Sequence, residues 1–327
     1  MSPAAIAPSL HEIIVARARL SSWVKETPVV RWDSLTKENL LSRETEVYFK
    51  LELFQYGGSF KPRGALLVMM NLDEEALQKG VTAVSAGNHA IAVGYAAKTL
   101  GTHAKVVMPR SANPFRVARC RELGAEIVFT DNVSEAFREV ERIKNEEGRT
   151  FVHPFEGPLT ALGTATVGLE YTRQVAGLEA AIIPIGGGGL AAGMAAAIRL
   201  SNPNCRIFGV EPTGADTMYR SFQSGKTESI PSVNTIADSL GAPFSMPYSM
   251  DLCRQNLEKI VLVEDEALRQ SMRIMFDELK LVAEPAAAAG LAALMGPLRE
   301  ELKGKKVGLI TCGSNIDLET FYQLIKQ

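Results

Sequence analysis

The sequence predicts an α/β protein with mostly parallel sheets and helices on both faces. Short apolar runs of strand length alternate with helical stretches through most of the chain. Helical stretches end at glycines, as at Gly101 and Gly124, where a left-handed residue can close the last turn. With 327 residues and 46% hydrophobic composition, the chain can bury the core of one large domain or two moderate ones.

The elements follow in order. Val47–Leu53 alternates as a strand, with Val47, Phe49, Leu51 and Leu53 on one face. Arg63–Leu72 reads as helix and Val81–Ser85 as a short strand. Alanine-rich Ala90–Leu100 is helical, and His103–Met108 is a strand stopped by Pro109. Phe115–Leu123 is a helix, Glu126–Thr130 a strand and Ser134–Asn145 a helix. The rhythm resumes after His153-Pro154: helix Thr166–Val175, buried strand Ala181–Ile185, small-residue helix Leu190–Leu200, strand Arg206–Val210. Lys306–Thr311 is the last strand and Leu318–Lys326 the last helix. Phe222–Pro247, rich in Ser, Gly and Pro, reads as a long loop lying over the molecule. In such a fold, ligands sit where strand C-termini meet helix N-termini.

Bulk properties narrow the function. A formal charge of −2 gives no basic excess for nucleic acid. The longest apolar runs are too short to span a bilayer, and no secretory signal is visible, so the cytoplasm is expected. Cys120, Cys205, Cys253 and Cys312 are far apart, as are the four histidines. No zinc or redox spacing appears.

Four segments can carry chemistry. In Gly57-Gly58-Ser59-Phe60-Lys61-Pro62-Arg63-Gly64-Ala65, Pro62 suits a first helical turn and biases Lys61 away from helical angles. A lysine at such an entrance can lose its proton and form an imine, although an ordinary surface lysine fits this motif equally. Ser85-Ala86-Gly87-Asn88-His89 lies between a strand and a helix. Its exposed backbone N–H groups suit a carboxylate; a tight turn capped by Asn88 is the plain alternative. Gly186-Gly187-Gly188-Gly189 can cradle a phosphate at the next helix N-terminus. Gly187-x-Gly189-x-x-Ala192 also matches the dinucleotide fingerprint, with Glu211 where a ribose-binding acid would stand, as in an NAD-dependent dehydrogenase. Thr311-Cys312-Gly313-Ser314-Asn315 follows the last strand and decides nothing alone.

Taken together, SFKPRGA, SAGNHA, HPFEGP, GGGGL, GVEP, TIAD and VAEP occur in the order seen in the serine/threonine dehydratase branch of fold-type II pyridoxal-phosphate (PLP) enzymes, which the chain resembles through nearly its whole length. The resemblance implies two open, twisted, mostly parallel sheets with flanking helices, as in the tryptophan synthase β chain. It implies a large PLP-binding domain, residues 1–79 and 156–327, with a smaller substrate-side domain, residues 80–155, inserted. Lys61 would hold the cofactor and take the α-proton, and Phe60 would pack beside it. Asn88 would bond the phenolic oxygen, and Gly186, Gly187, Gly188, Gly189 and Leu190 would form the phosphate loop. Glu284 would lie near the ring, and Cys312 would replace the usual serine facing the pyridine nitrogen. Ser85, Ala86, Gly87, Asn88 and His89 would surround the substrate carboxylate. The implied activity is dehydration and deamination of L-threonine or L-serine to a 2-oxo acid and ammonia, by a homodimer.

Departures from the pattern matter. Similar serine racemases carry a serine at position 86, serving the second face of the α-carbon. Ala86 cannot transfer a proton, so racemisation is expected to be weak or absent. Ile91 replaces a frequent glutamine, and Gly163-Thr164-Ala165-Thr166 replaces Gly-Gln-Gly-Thr. A pocket with less amide favours a larger β-substituent, so phenylserine or 3-hydroxyaspartate is the alternative substrate. Glu211 and Ala215 match a divalent-cation site of some relatives, for Mg²⁺ or Ca²⁺, but its third position, an acid there, is Thr217. The chain ends soon after Asn315, leaving no room for a regulatory domain, so feedback inhibition by isoleucine is not expected.

Overall fold

The computed structural model describes residues 5–326 and contains two sheets. The larger has six strands in the order β1 (Val29–Arg31), β2 (Glu46–Lys50), β10 (Lys306–Ile310), β7 (Ala180–Pro184), β8 (Arg206–Pro212) and β9 (Lys259–Val263). Only the β1–β2 pair is antiparallel. The smaller sheet is wholly parallel, in the order β5 (Glu126–Thr130), β4 (Ala104–Pro109), β3 (Val81–Val84) and β6 (Thr150–Phe151).

Burial on both faces explains these strands. Every residue of β3 and of β7 is buried, as expected when crossover helices cover a parallel sheet. In the small sheet, Val81 and Ala83 share a core with Ile91 and Val93 of the helix Asn88–Leu100. Val84 packs with Val140 and Ile143 of the helix Val133–Glu147, on the opposite face.

Several elements differ from their sequence reading. The strand over 47–53 stops at Lys50, because the chain turns into a 3-10 helix at Glu52–Phe54. The helix expected over 166–175 is the second half of Pro158–Gln174. Its first half is buried nearly all round, so no polar face marks it. Gly163 lies there, and a Cβ on it would stand 2.5 Å from the Arg63 carbonyl oxygen. That close approach seats the helix Pro62–Met69, which follows Lys61, against Pro158–Gln174. The region 222–247 is organised: a helix runs to Ser224, Ser229 bridges to Phe244, and Asp238–Leu240 forms a 3-10 turn.

A buried ion network fixes the same helix. Arg63 donates to Glu52 at 2.7 and 2.8 Å and to Glu170 at 2.8 and 2.9 Å. Lys50 donates to Glu170 at 2.9 Å. All four side chains are essentially inaccessible, so each charge depends on its partners.

Candidate active site

The loops after β3, β7 and β10 open at strand C-terminal ends, and with the segment holding Lys61 they surround one cavity of about 310 Å³. Phe60, Lys61, Ser85, Ala86, Gly87, Asn88 and His89 line it. So do Gly186–Leu190, Glu284 and Cys312.

Lys61 precedes the helix Pro62–Met69 with φ −55° and ψ −34°. These are helical angles, contrary to the bias expected from Pro62. The turn is held by the Arg63 and Ala65 N–H groups, which donate to the Phe60 and Lys61 carbonyls. The Lys61 amine donates to the Pro154 carbonyl at 2.5 Å and stands 5.3 Å from the Phe60 ring centre. Burial lowers its pKa to about 8, while Cys312 and Glu284 pull the other way. About a tenth of the amine is therefore neutral at pH 7, far more than for a solvated lysine.

The Ser85–His89 loop leads into the helix Asn88–Leu100. Ser85 Oγ accepts the Gly87 N–H at 3.1 Å. Asn88 is the first helical residue and does not cap the turn. Its amide donates to Glu284 Oε1 at 2.6 Å, and its Oδ1 accepts from Asn315 at 2.6 Å. His89 Nε2 lies 2.8 Å from the Val152 carbonyl. Burial, helped by the Lys61 charge, lowers its pKa to about 3, so the ring is neutral and donates that bond.

The glycine loop cannot carry side chains. A Cβ on Gly187 would lie 2.2 Å from the Phe155 ring, and Gly188 has φ +97°. The helix Gly189–Ser201 starts there, and the first N–H groups of a helix lack intrahelical partners. Glu284 is fully buried; among the described residues its Oε2 has no hydrogen-bond partner, and the nearest cation is Arg116 at 3.9 Å. Burial raises the Glu284 pKa and holds the Cys312 thiol well above its usual range, so Cys312 is neutral.

These groups fit pyridoxal phosphate. An amine that deprotonates readily could hold the aldehyde carbon, and an amide cradle at a helix N-terminus could hold the phosphate. A carboxylate with one free oxygen and a neutral thiol remain for the ring. The sequence profile of pyridoxal-phosphate dependent enzymes matches residues 20–313. The chain belongs to that family. A phenylserine dehydratase of Ralstonia pickettii is 52% identical over 314 residues, covering 96% of this chain and 95% of the relative. An L-threonine ammonia-lyase of Thermotoga maritima is 35% identical, covering 91% and 75%. The solved structure of maize serine racemase superposes with a TM-score of 0.91 at 35% identity, covering 98% of both chains.

The dinucleotide reading falls with this membership. Glu211, the acid that would bind a ribose, is buried beneath a helix instead. Its two oxygens accept the Met218 and Tyr219 N–H groups at 3.0 and 2.6 Å, and burial raises its pKa to about 8. Of the other positions expected to hold Mg²⁺ or Ca²⁺, Ala215 precedes the same helix, its N–H donating to the Pro212 carbonyl. Thr217 at the same helix start donates to the Ala242 carbonyl, and the adjacent Asp216 pairs with Arg220. As folded, Glu211 acts as a helix cap.

Sequence reasoning missed several lining residues of this PLP-dependent enzyme. Arg116 donates to both Asp238 oxygens and, through Nε, to the Asn315 carbonyl at 2.8 Å. Phe137, Phe155 and Phe244 line the wall together. Only Phe155 and Asp238 lay within motifs, HPFEGP and TIAD. The two departures weighed for substrate size do not reach this wall. Ile91 is buried under Gly57, Thr164 Oγ1 donates to the Gly189 carbonyl at 2.7 Å, and Thr166 Oγ1 accepts from Arg63.

Proposed function

We propose that the enzyme is an ammonia-lyase that removes water and then ammonia from an L-3-hydroxy amino acid, with phenylserine preferred over threonine and serine. The observation that carries the reaction type is the pairing of the Lys61 amine with Ala86 in one cavity. One wall offers a base of lowered pKa, and the residue aligned with the racemase serine cannot move a proton. The 52% identity with a phenylserine dehydratase supports the substrate.

Bound PLP supplies a conjugated acceptor for the electron pair left at the α-carbon. The chain's own residues do the rest. Backbone N–H groups at the start of the helix Asn88–Leu100 bind the substrate carboxylate and orient the α-proton toward Lys61 Nζ. Lys61 Nζ takes that proton, the Cβ–O bond breaks, and the α-proton's equivalent is returned to the departing hydroxyl, which leaves as water. The released enamine tautomerises and is hydrolysed to a 2-oxo acid and ammonium. Cys312 would present a neutral thiol to the ring, which favours elimination over a long-lived carbanion.

The test is a panel of L-phenylserine, L-threonine, L-serine and 3-hydroxyaspartate with the purified holoenzyme, following ammonia and 2-oxo acid. Equimolar release, ranked with phenylserine first, is expected. Release of neither product from any of the four would overturn the reading.

A further inference from the structure

We infer that Phe137 and Phe244 form an aryl subsite that selects the β-substituent, an inference that rests on the lyase reading and names its specificity determinants. The two residues come from separate parts of the chain. Phe137 stands on the helix Val133–Glu147 that covers the small sheet, and Phe244 on the segment after the 3-10 turn Asp238–Leu240. Their ring centres are 5.6 Å apart at 59°, and Phe244 lies 6.1 Å from Phe155 at 53°. These tilted arrangements suit aromatic packing, and a further ring laid against them extends the same geometry. Ala86, Ala136 and Pro243 add small apolar surface to the cavity.

Charge points the same way. The charged side chains lining the cavity are Lys61, Arg116, Asp238 and Glu284. Arg116 is committed to Asp238 through both terminal nitrogens, and Glu284 to Asn88. Lys61 is the base. A β-carboxylate, as in 3-hydroxyaspartate, would find no uncommitted cation here. A methyl group or hydrogen, as in threonine or serine, would leave both rings uncovered. An uncharged aryl group matches both conditions. Phe155 is a poor probe, since it packs on the glycine loop at the Gly187 position.

The experiment compares kcat/KM for L-phenylserine with that for L-threonine in holoenzyme carrying Phe137→Ala or Phe244→Ala. The phenylserine-to-threonine ratio should fall about tenfold or more in each, while cofactor content, read by absorbance, stays stoichiometric. An unchanged ratio in both variants overturns the subsite. Phe137→Leu and Phe244→Leu replace the alanine variants if those fail to fold, with a smaller fall expected. A second measurement needs no turnover: spectral titration of wild-type holoenzyme with L-phenylalanine and L-alanine. Phenylalanine should bind at least about tenfold more tightly; equal affinities overturn the subsite. Should the wild type turn over no 3-hydroxy amino acid, the lyase reading fails and this titration alone decides the subsite.

Discussion

The wall around Lys61 and the wall around Phe137 enclose the same cavity but are held in different ways. Around Lys61, polar groups fix one another. Asn88 joins Glu284 to Asn315, and the segment leading from Lys61 is anchored by buried Arg63 with Glu52 and Glu170. The aromatic wall is held by ring packing between separate segments. Bonded networks in a dry interior fail when one member is removed, because a partner is left buried and unpaired. Packed rings can be exchanged for other apolar groups at moderate cost. On this proposal, the chemistry sits on the wall that tolerates little change, and selectivity on the wall that tolerates more.

The sharpest break in that contrast comes at Lys61. Lys61→Ala should lower turnover at least about thousandfold and abolish covalent retention of the cofactor, checked by borohydride fixation and mass spectrometry of the Lys61 peptide. No variant of Phe137 or Phe244 should approach this loss. Next comes the network beneath it. Arg63→Met leaves Glu52 without its ion-pair partner, while Glu170 keeps Lys50 and Arg17, and should cost about 3–5 kcal/mol in chemical denaturation of the apoprotein.

A smaller effect concerns pH. Lys61 has a pKa of about 8 when folded and about 10.4 when unfolded. Between these values the unfolded chain binds the extra proton, so apoprotein stability rises with pH across that window. The penalty for charging Lys61 is present in full below pH 8. Denaturation curves of apoprotein at pH 7.5 and 9.5 should show a gain in the wild type that is absent in Lys61→Met. The smallest effect is expected at Glu211, which is already engaged by two N–H groups. Removing divalent cations with EDTA should leave Tm within about 1 °C, as a helix cap needs no ion. A cation-dependent rise in Tm would instead place Mg²⁺ or Ca²⁺ there.

The two walls also differed in how far the sequence disclosed them. Lys61, the Ser85–His89 loop and the glycine loop stand in short segments where glycine and proline do backbone work, so each left a local mark. Phe137 looks like an ordinary apolar residue of an amphipathic helix, and Phe244 lies in a segment with no periodicity. What unites them is a meeting of two parts of the chain, which no local pattern records. The same limit explains other omissions. The helix Pro285–Met295 is apolar on every side, so it lacks a 3.6-residue alternation, and β1 is only three residues long. Arg116 drew no attention because a single arginine on a helix ordinarily faces water, whereas here Asp238 and the Asn315 carbonyl take it inward.

On the proposed reading, Lys61 moves the α-proton alone, toward elimination. The most direct test follows L-phenylserine with wild-type holoenzyme, measuring ammonia, 2-oxo acid and the configuration of the remaining substrate by chiral chromatography. Equal amounts of ammonia and 2-oxo acid are expected, with the unreacted substrate still L at the α-carbon. Accumulation of the epimer inverted at that carbon, or loss of substrate without ammonia, would contradict that reading.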